Sequence, residues 1–193
     1  MGRSLFGIET EYALTALDAE GALADRRGAL VDMMRRCLAR HECLPDGSAG
    51  LFLPCGRLYV DSGLHPEFCT PECTNPWDVV RYVLAGEQLL AELASQITAN
   101  GSYSDIWISK CNVDYSGAGT TWGCHESYLH HTDPAAMARQ IIPHLVSRVP
   151  YTGAGGFHPK QDLATFTLSP RVHHLVGDIS NGRSIYHTKD EPL

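Results

Sequence analysis

Hydrophobic and polar side chains alternate over residues 4–15, with Ile8, Thr10 and Tyr12 on one side. A repeat of two residues predicts a β-strand. Residues 51–62 have a second extended pattern, which turns at residues 54–56 and so predicts a strand or a hairpin. A further strand is predicted over residues 105–114.

Three stretches have helical spacing of their apolar residues. The first is predicted over residues 25–40. The second begins after Asn75, a residue type that caps helices, and stops at Asn100-Gly101. The third opens at Asp133-Pro134, and Pro143 is expected to end or kink it. These helices and strands follow no regular β-α-β order, which predicts an α+β fold with an antiparallel sheet.

The composition fits one domain over residues 1–193, because 193 residues with 44% hydrophobic content can bury one core. The formal net charge of −7 provides no positive field for nucleic acid or an anionic membrane. No apolar run approaches the roughly 18 residues of a membrane span. Seven cysteines without repeated close pairs favour a reduced setting. We therefore expect a cytoplasmic protein whose partners are small molecules or proteins.

The first strand carries two carboxylates on one face, since its period of two residues places Glu9 and Glu11 on the same side. An exposed polar face explains this pattern as well as a functional site does. The functional interpretation is an oxygen-rich site for a hard cation such as Mg²⁺. The strand alone leaves both interpretations open.

The second strand presents Arg57, Tyr59 and Asp61 on one face. A guanidinium suits phosphate, and an aspartate can act as a proton acceptor or nucleophile. Glu67 and Glu72 follow in a segment that its prolines stiffen. The simpler alternative is that Asp61 pairs with Arg57 on a surface strand. The strand- and turn-borne carboxylates around this one arginine favour a site for metal and phosphate.

Five motifs, GIETEY, RLYVD-x-G-x-HPEF-x-T-x-EC, TWGCHESYL, TGAG and HTKDEP, occur in this order along the chain. Together they resemble the N-terminal half of the Pup ligase and the related Pup deamidase/depupylase, in the glutamine synthetase-like carboxylate–amine ligase superfamily. The resemblance implies a curved antiparallel sheet that forms a cradle, with helices behind it and ATP and Mg²⁺ at the concave face.

The resemblance also implies roles for individual residues. The family's positions fall on Asp61 for the catalytic aspartate, on Glu9, Tyr59 and Glu67 for magnesium ligands, and on Arg57 and Thr70 for nucleotide contacts. Further candidates, for metal or substrate, are Glu11, Glu72 and Glu126. Lys189 stands where the family has an arginine, which keeps the charge and loses the bidentate geometry.

The function implied is ATP- and Mg²⁺-dependent phosphorylation of a glutamate carboxylate, followed by condensation with an amine into an amide or isopeptide bond. A Pup-like protein or peptide is the expected carboxylate donor. Two alternatives are an amide hydrolase of the depupylase kind and a truncated, non-catalytic nucleotide-binding module. The short segment between Tyr12 and Leu51 favours the ligase, because the hydrolase branch has a longer insertion there. We also expect a missing C-terminal half, or a second copy, to complete the sheet.

Overall fold

The structure is a computed structural model that describes residues 4–48, 50–116, 119–159 and 165–174. The HTKDEP motif and Lys189 lie outside these residues. The chain divides into two compact units, one formed by residues 1–111 and 123–130 and the other by residues 112–122 and 131–193. The candidate site residues named above that the structure describes lie in the first unit.

The first unit holds most of the sheet structure. Its elements are β1 (Phe6–Glu11), β2 (Ala13–Leu17), α1 (Arg26–Arg40), β3 (Leu44–Pro45), β4 (Leu51–Leu53), β5 (Gly56–Val60), β6 (Pro66–Cys69), α2 (Pro76–Thr98), β7 (Asp105–Ser109) and β8 (Cys124–Tyr128). Six strands form one antiparallel sheet in the order β3-β4-β5-β6-β1-β8, and β2 pairs with β7. The predicted α+β class with an antiparallel sheet is confirmed.

The second unit contains α3 (Pro134–Thr152), the short strands β9 (Gly156–Phe157) and β10 (Phe166–Thr167), and a 3-10 helix over Pro170–His174. The predicted end of α3 near Pro143 is wrong, because the helix continues to Thr152. A proline removes one N–H donor from a helix. The helix nevertheless continues through Pro143. The Asp133 carboxylate caps its first turn by accepting from Ala136 N at 3.1 Å.

The predicted single strand at the start of the chain is two strands, because the chain changes sheets at Tyr12. β1 pairs with β6 and β8, whereas β2 pairs with β7. At the junction Glu11 N donates to Gly123 O at 3.0 Å, and Tyr12 N donates to Pro66 O at 2.9 Å. Side-chain alternation does not reveal such an exchange of partners. The hairpin predicted at residues 54–56 is confirmed as β4 and β5.

One face of the six-stranded sheet is apolar and belongs to the core formed with α1 and α2. Leu58 of β5 and Phe68 of β6 are fully or almost fully buried there. α2 begins as predicted, with Asn75 Oδ1 accepting from Asp78 N at 3.0 Å. It meets the sheet at Gly86, where an added Cβ would lie 2.4 Å from Phe68 Cδ1. This close packing leaves only the opposite face of the sheet for polar chemistry.

Candidate functional site

The polar face of the sheet is built by cross-strand register. Two rows of side chains cross the central strands, since residues directly opposite in paired strands point the same way. The first row is Arg57, Cys69, Glu9 and His125, and the second is Tyr59, Glu67 and Glu11. We call these seven residues the polar face. Carboxylates separated along the chain therefore meet because of pairing, and not because of sequence proximity.

The first cluster on the polar face is formed by Glu9, Glu67 and His125. Their potential ligand atoms all lie within 4.8 Å of one another, as needed to hold a metal ion. His125 Nδ1 is 3.2 Å from Glu9 Oε2. The Tyr59 hydroxyl and, at 3.2 Å, the Cys69 thiol both donate to Glu9 Oε1. Glu9 is therefore the centre of this cluster.

Burial and nearby groups shift the pKa values of the two carboxylates of this cluster in opposite directions. The pKa of Glu67 is raised to about 8, first by its burial and then by the charge of Glu9. The pKa of Glu9 is lowered to about 2, chiefly by its hydrogen bond with His125. Burial also raises the pKa of Tyr59, so its phenol keeps the proton that it donates to Glu9. The cluster therefore carries one negative charge, on Glu9, and a second carboxyl, on Glu67, that keeps its proton at neutral pH.

The second cluster joins Asp61 and His65 to Glu11, again with ligand atoms within 4.8 Å of one another. Asp61 Oδ1 accepts from His65 N at 2.7 Å, and Asp61 Oδ2 lies 3.2 Å from His65 Nδ1. Glu11 Oε2 accepts from Gly123 N at 2.7 Å. The turn between Asp61 and His65 is tight, and its residue Leu64 has a backbone φ of 60°. Asp61 is thus an oriented, largely buried carboxylate that can accept a proton or ligate a cation.

Arg57 does not pair with Asp61, so the simpler alternative of a surface Arg57–Asp61 pair does not hold. Its Nε and Nη2 donate instead to Asp46 Oδ2, at 2.9 and 2.5 Å. The guanidinium also lies over the ring of Tyr59, with its central carbon 4.3 Å from the ring centroid. Arg57 therefore lies beside the first cluster, and one edge of its guanidinium is already bound by Asp46.

Of the remaining candidates, Thr70 and Glu72 lie near the first cluster, and Glu126 does not. Thr70 and Glu72 line a cavity of ≈ 520 Å³ together with Glu9 and Cys69. The Thr70 hydroxyl accepts from Ile8 N at 3.0 Å. Glu126 neighbours His125 in β8, so alternation points it away from Glu9. It accepts from the Tyr128 hydroxyl at 2.6 Å and is not brought to the polar face.

Four residues at the site were not among the site residues predicted from the sequence: His125, His65, Cys69 and Asp46. In the HESY segment the candidate named from the sequence was Glu126, and the register of β8 against β1 places its neighbour His125 beside Glu9 instead. Cys69 could have been found from strand alternation, because it lies two residues after Glu67 in the same strand. Asp46 gave no signal beyond its place in a turn.

The fold and the polar face together define a class of α+β protein: helices cover one face of an antiparallel sheet, and clustered carboxylates and imidazoles suited to divalent cations lie on the other. The chain belongs to the Pup-ligase family, because the family model described as Pup-ligase protein matches residues 4–193. No helix in the described part of the chain combines the length and hydropathy that a bilayer crossing needs.

Two relatives support this membership. The chain is 34% identical to the Pup–protein ligase of Kribbella flavida, in an alignment that covers all of this chain and 43% of the relative. It also resembles a solved complex between the prokaryotic ubiquitin-like protein Pup and its ligase PafA, with a TM-score of 0.72 and 30% identity. That match covers 90% of this chain and 35% of the other. The chain thus spans less than half the length of these relatives.

Proposed function

We propose that this protein acts as a ligase of the Pup-ligase type, which uses ATP and Mg²⁺ to join a glutamate carboxylate to an amine. The observation that carries the proposal is the convergence of Glu9, Tyr59, Glu67 and His125 on the polar face, with Arg57 and Asp61 beside them. Membership of the Pup-ligase family supports the same reaction. A Pup-like tail is the donor we propose, because the related PafA structure contains Pup.

The residues of the first cluster fit a divalent cation. Glu9 and Glu67 offer carboxylate oxygens, Tyr59 a phenol oxygen and His125 an imidazole nitrogen, a set that suits Mg²⁺ or Mn²⁺. When bound, such an ion supplies positive charge that stabilises the transferring phosphoryl group. Glu11, beside Asp61, adds a further carboxylate at the neighbouring cluster.

The proposed reaction has two steps. The donor carboxylate oxygen attacks the γ-phosphorus of ATP, ADP leaves, and an acyl phosphate results. The amine nitrogen then attacks the acyl carbon, inorganic phosphate leaves, and Asp61 takes the proton that the amine loses. Arg57 and Thr70 contact the nucleotide, while the contacts from His65 hold the Asp61 carboxylate in one orientation.

One assay tests the proposal and separates its alternatives. The protein is incubated with Mg-ATP and a glutamate-ended donor peptide, with and without an amine, and both ADP and product mass are followed. We expect ADP in equal amount to a product whose mass equals donor plus amine minus water. Loss of an amide from an amidated donor without net ATP consumption would instead indicate a hydrolase. Nucleotide binding with no chemistry would indicate a non-catalytic module.

The raised pKa of Glu67 predicts that divalent-ion affinity depends on pH. Glu67 must lose its proton to bind a cation, and its pKa of about 8 means that this proton is still largely bound at pH 6 and 7. The affinity for Mn²⁺ should therefore rise with pH, by about tenfold per unit below pH 8, and level off above it. Calorimetry in buffers of different ionisation enthalpy should detect about one proton released per ion at pH 6.5.

The matched variant for this prediction is Glu67→Gln, which binds the ion more weakly and should lose most of the pH dependence over the same range. A wild-type affinity that stays constant between pH 6 and pH 8 would remove Glu67 from the ligand set. A dependence that survives unchanged in Glu67→Gln would assign the titration to another group.

A further inference from the structure

We infer that Asp46 is a positioning residue for Arg57, holding its guanidinium so that the remaining N–H groups face a phosphate on the polar face. The inference rests on the proposed function, because it concerns how nucleotide phosphates are held. Asp46 lies in the turn between β3 and β4, outside the motifs that led to the candidate site. Its contacts are of two kinds, one for each carboxylate oxygen.

The first oxygen fixes Asp46 within its own turn. Oδ1 accepts from Ser48 N at 2.8 Å, from Ser48 Oγ at 2.7 Å and from Gly50 N at 3.1 Å. Gly47 supplies the left-handed backbone that this turn needs, with a φ of 81°. The side chain of Asp46 is only 6% exposed. Three donors on one oxygen hold the carboxylate in this orientation.

The second oxygen fixes Arg57. Oδ2 accepts from both Nε and Nη2, and these contacts with Ser48 and Arg57 hold the pKa of Asp46 well below its usual range. The carboxylate therefore stays ionised. The backbone of Gly50 packs against this Asp46–Arg57 pair, because an added Cβ there would lie 2.1 Å from Asp46 Oδ2 and 3.2 Å from Arg57 Nε. Only glycine allows the backbone to approach this pair so closely.

The guanidinium is thus restrained from several directions. Asp46 binds one edge of the guanidinium, and the Tyr59 ring lies against the guanidinium plane. The centroid of the Phe52 ring lies 5.8 Å from the central carbon of the guanidinium. The described contacts use Nε and Nη2, so Nη1 is the nitrogen that remains for a ligand. Arg57 is directly opposite Cys69, which in turn is opposite Glu9. A phosphate that reached Nη1 would meet a donor whose position is fixed before binding, which lowers the entropy cost of binding.

The test is a double-mutant cycle on nucleotide affinity. The dissociation constant of a fluorescent ATP analogue is measured with Mg²⁺ for the wild-type protein, Asp46→Ala, Arg57→Ala and the double variant. We expect each single variant to bind roughly tenfold more weakly, similar to the loss of a supporting partner in metal sites. Asp46→Ala should have no further effect in the Arg57→Ala background, since both changes remove the same interaction.

Two further variants distinguish a lost contact with Arg57 from a general loss of folding stability. Asp46→Asn keeps an oxygen for the Ser48 and Gly50 contacts and turns an amide toward Arg57, so it should bind nucleotide as weakly as Asp46→Ala with a melting temperature nearer to wild type. Asp114→Ala is the matched control, because Asp114 also accepts from a serine two residues on, from Ser116 N and Ser116 Oγ, and no arginine among the described residues forms an ion pair with it. It should bind nucleotide like the wild type.

A readout without nucleotide completes the design. In ¹⁵N NMR spectra of the Arg57 side chain, the Nε–H signal should exchange slowly in the wild type and quickly in Asp46→Asn. Unchanged nucleotide affinity in Asp46→Asn, or a loss that adds fully to that of Arg57→Ala, would overturn the inference. Unchanged affinity in Arg57→Ala would overturn the nucleotide role of Arg57 itself. If Asp46 and Arg57 are coupled in nucleotide binding but the protein joins no donor to an amine, the inference stands and the proposed ligase function is rejected.

Discussion

Replacing Asp61 with asparagine should reduce ligation by about 10²–10⁴-fold, the usual contribution of a positioned proton acceptor. Asparagine has the same shape and keeps an oxygen that can accept from His65 N, so the turn should survive. It cannot take the proton from the amine. Nucleotide binding should remain, because Asp61 makes none of the contacts described for Arg57 and Thr70. Product mass measures the first effect, and a fluorescent ATP analogue measures the second.

The control for this variant is Asp18→Asn. Asp18 lies in another turn of the same unit, where its Oδ1 accepts from Glu20 N and Ala22 N, away from the polar face. This variant should ligate like the wild type. If Asp61→Asn keeps full activity, the proton acceptor lies elsewhere and Asp61 is only a structural partner of His65.

Replacing Glu9 with glutamine should weaken divalent-ion binding by at least about 100-fold. Partners outside the ligand shell already contribute 10–100-fold to metal affinity, and Glu9 is the carboxylate around which the first cluster is arranged. The amide removes the negative charge and one strong oxygen ligand while keeping the size of the side chain. Titration with Mn²⁺, followed by electron paramagnetic resonance, measures the free ion directly.

The matched control is Glu126→Gln. Glu126 is opposite Ile8, the neighbour of Glu9, and points to the other side of the sheet. The same chemical change there should leave the Mn²⁺ affinity within error of the wild type. Equal losses in both variants would mean that the acidic charge of the region attracts the ion without a defined cluster. A loss in Glu126→Gln alone would assign the ligand role to Glu126.

The sequence allowed the local parts of the fold to be predicted with few errors. The second helix was found because Asn75 and Pro76 mark its start and a helical apolar pattern follows, and it runs over Pro76–Thr98 as expected. Alternation within β1 and β5 correctly grouped Glu9 with Glu11 and Arg57 with Tyr59. These features depend on residues close together in the chain, where the geometry of one element decides the outcome.

The parts that failed depend on residues far apart in the chain. Strand periodicity says which side chains share a face, but it does not say which strands become neighbours or in what register. His125 therefore could not be distinguished from Glu126 before the pairing of β8 with β1 was known. Likewise, the partner of Arg57 is Asp46, eleven residues away and in a turn, and strand periodicity gives no sign of that contact. Long-range pairing selects the contacts that a local pattern leaves open.

The position of β1 between two paired strands limits how its sequence can vary in length. β1 is hydrogen-bonded to β6 on one side and β8 on the other, so both neighbours fix its register. Inserting or deleting one residue within this strand would turn its two carboxylates into the apolar core and bring Ile8 and Thr10 outward. Natural length variation in related chains should therefore fall in the surface loops and spare this strand.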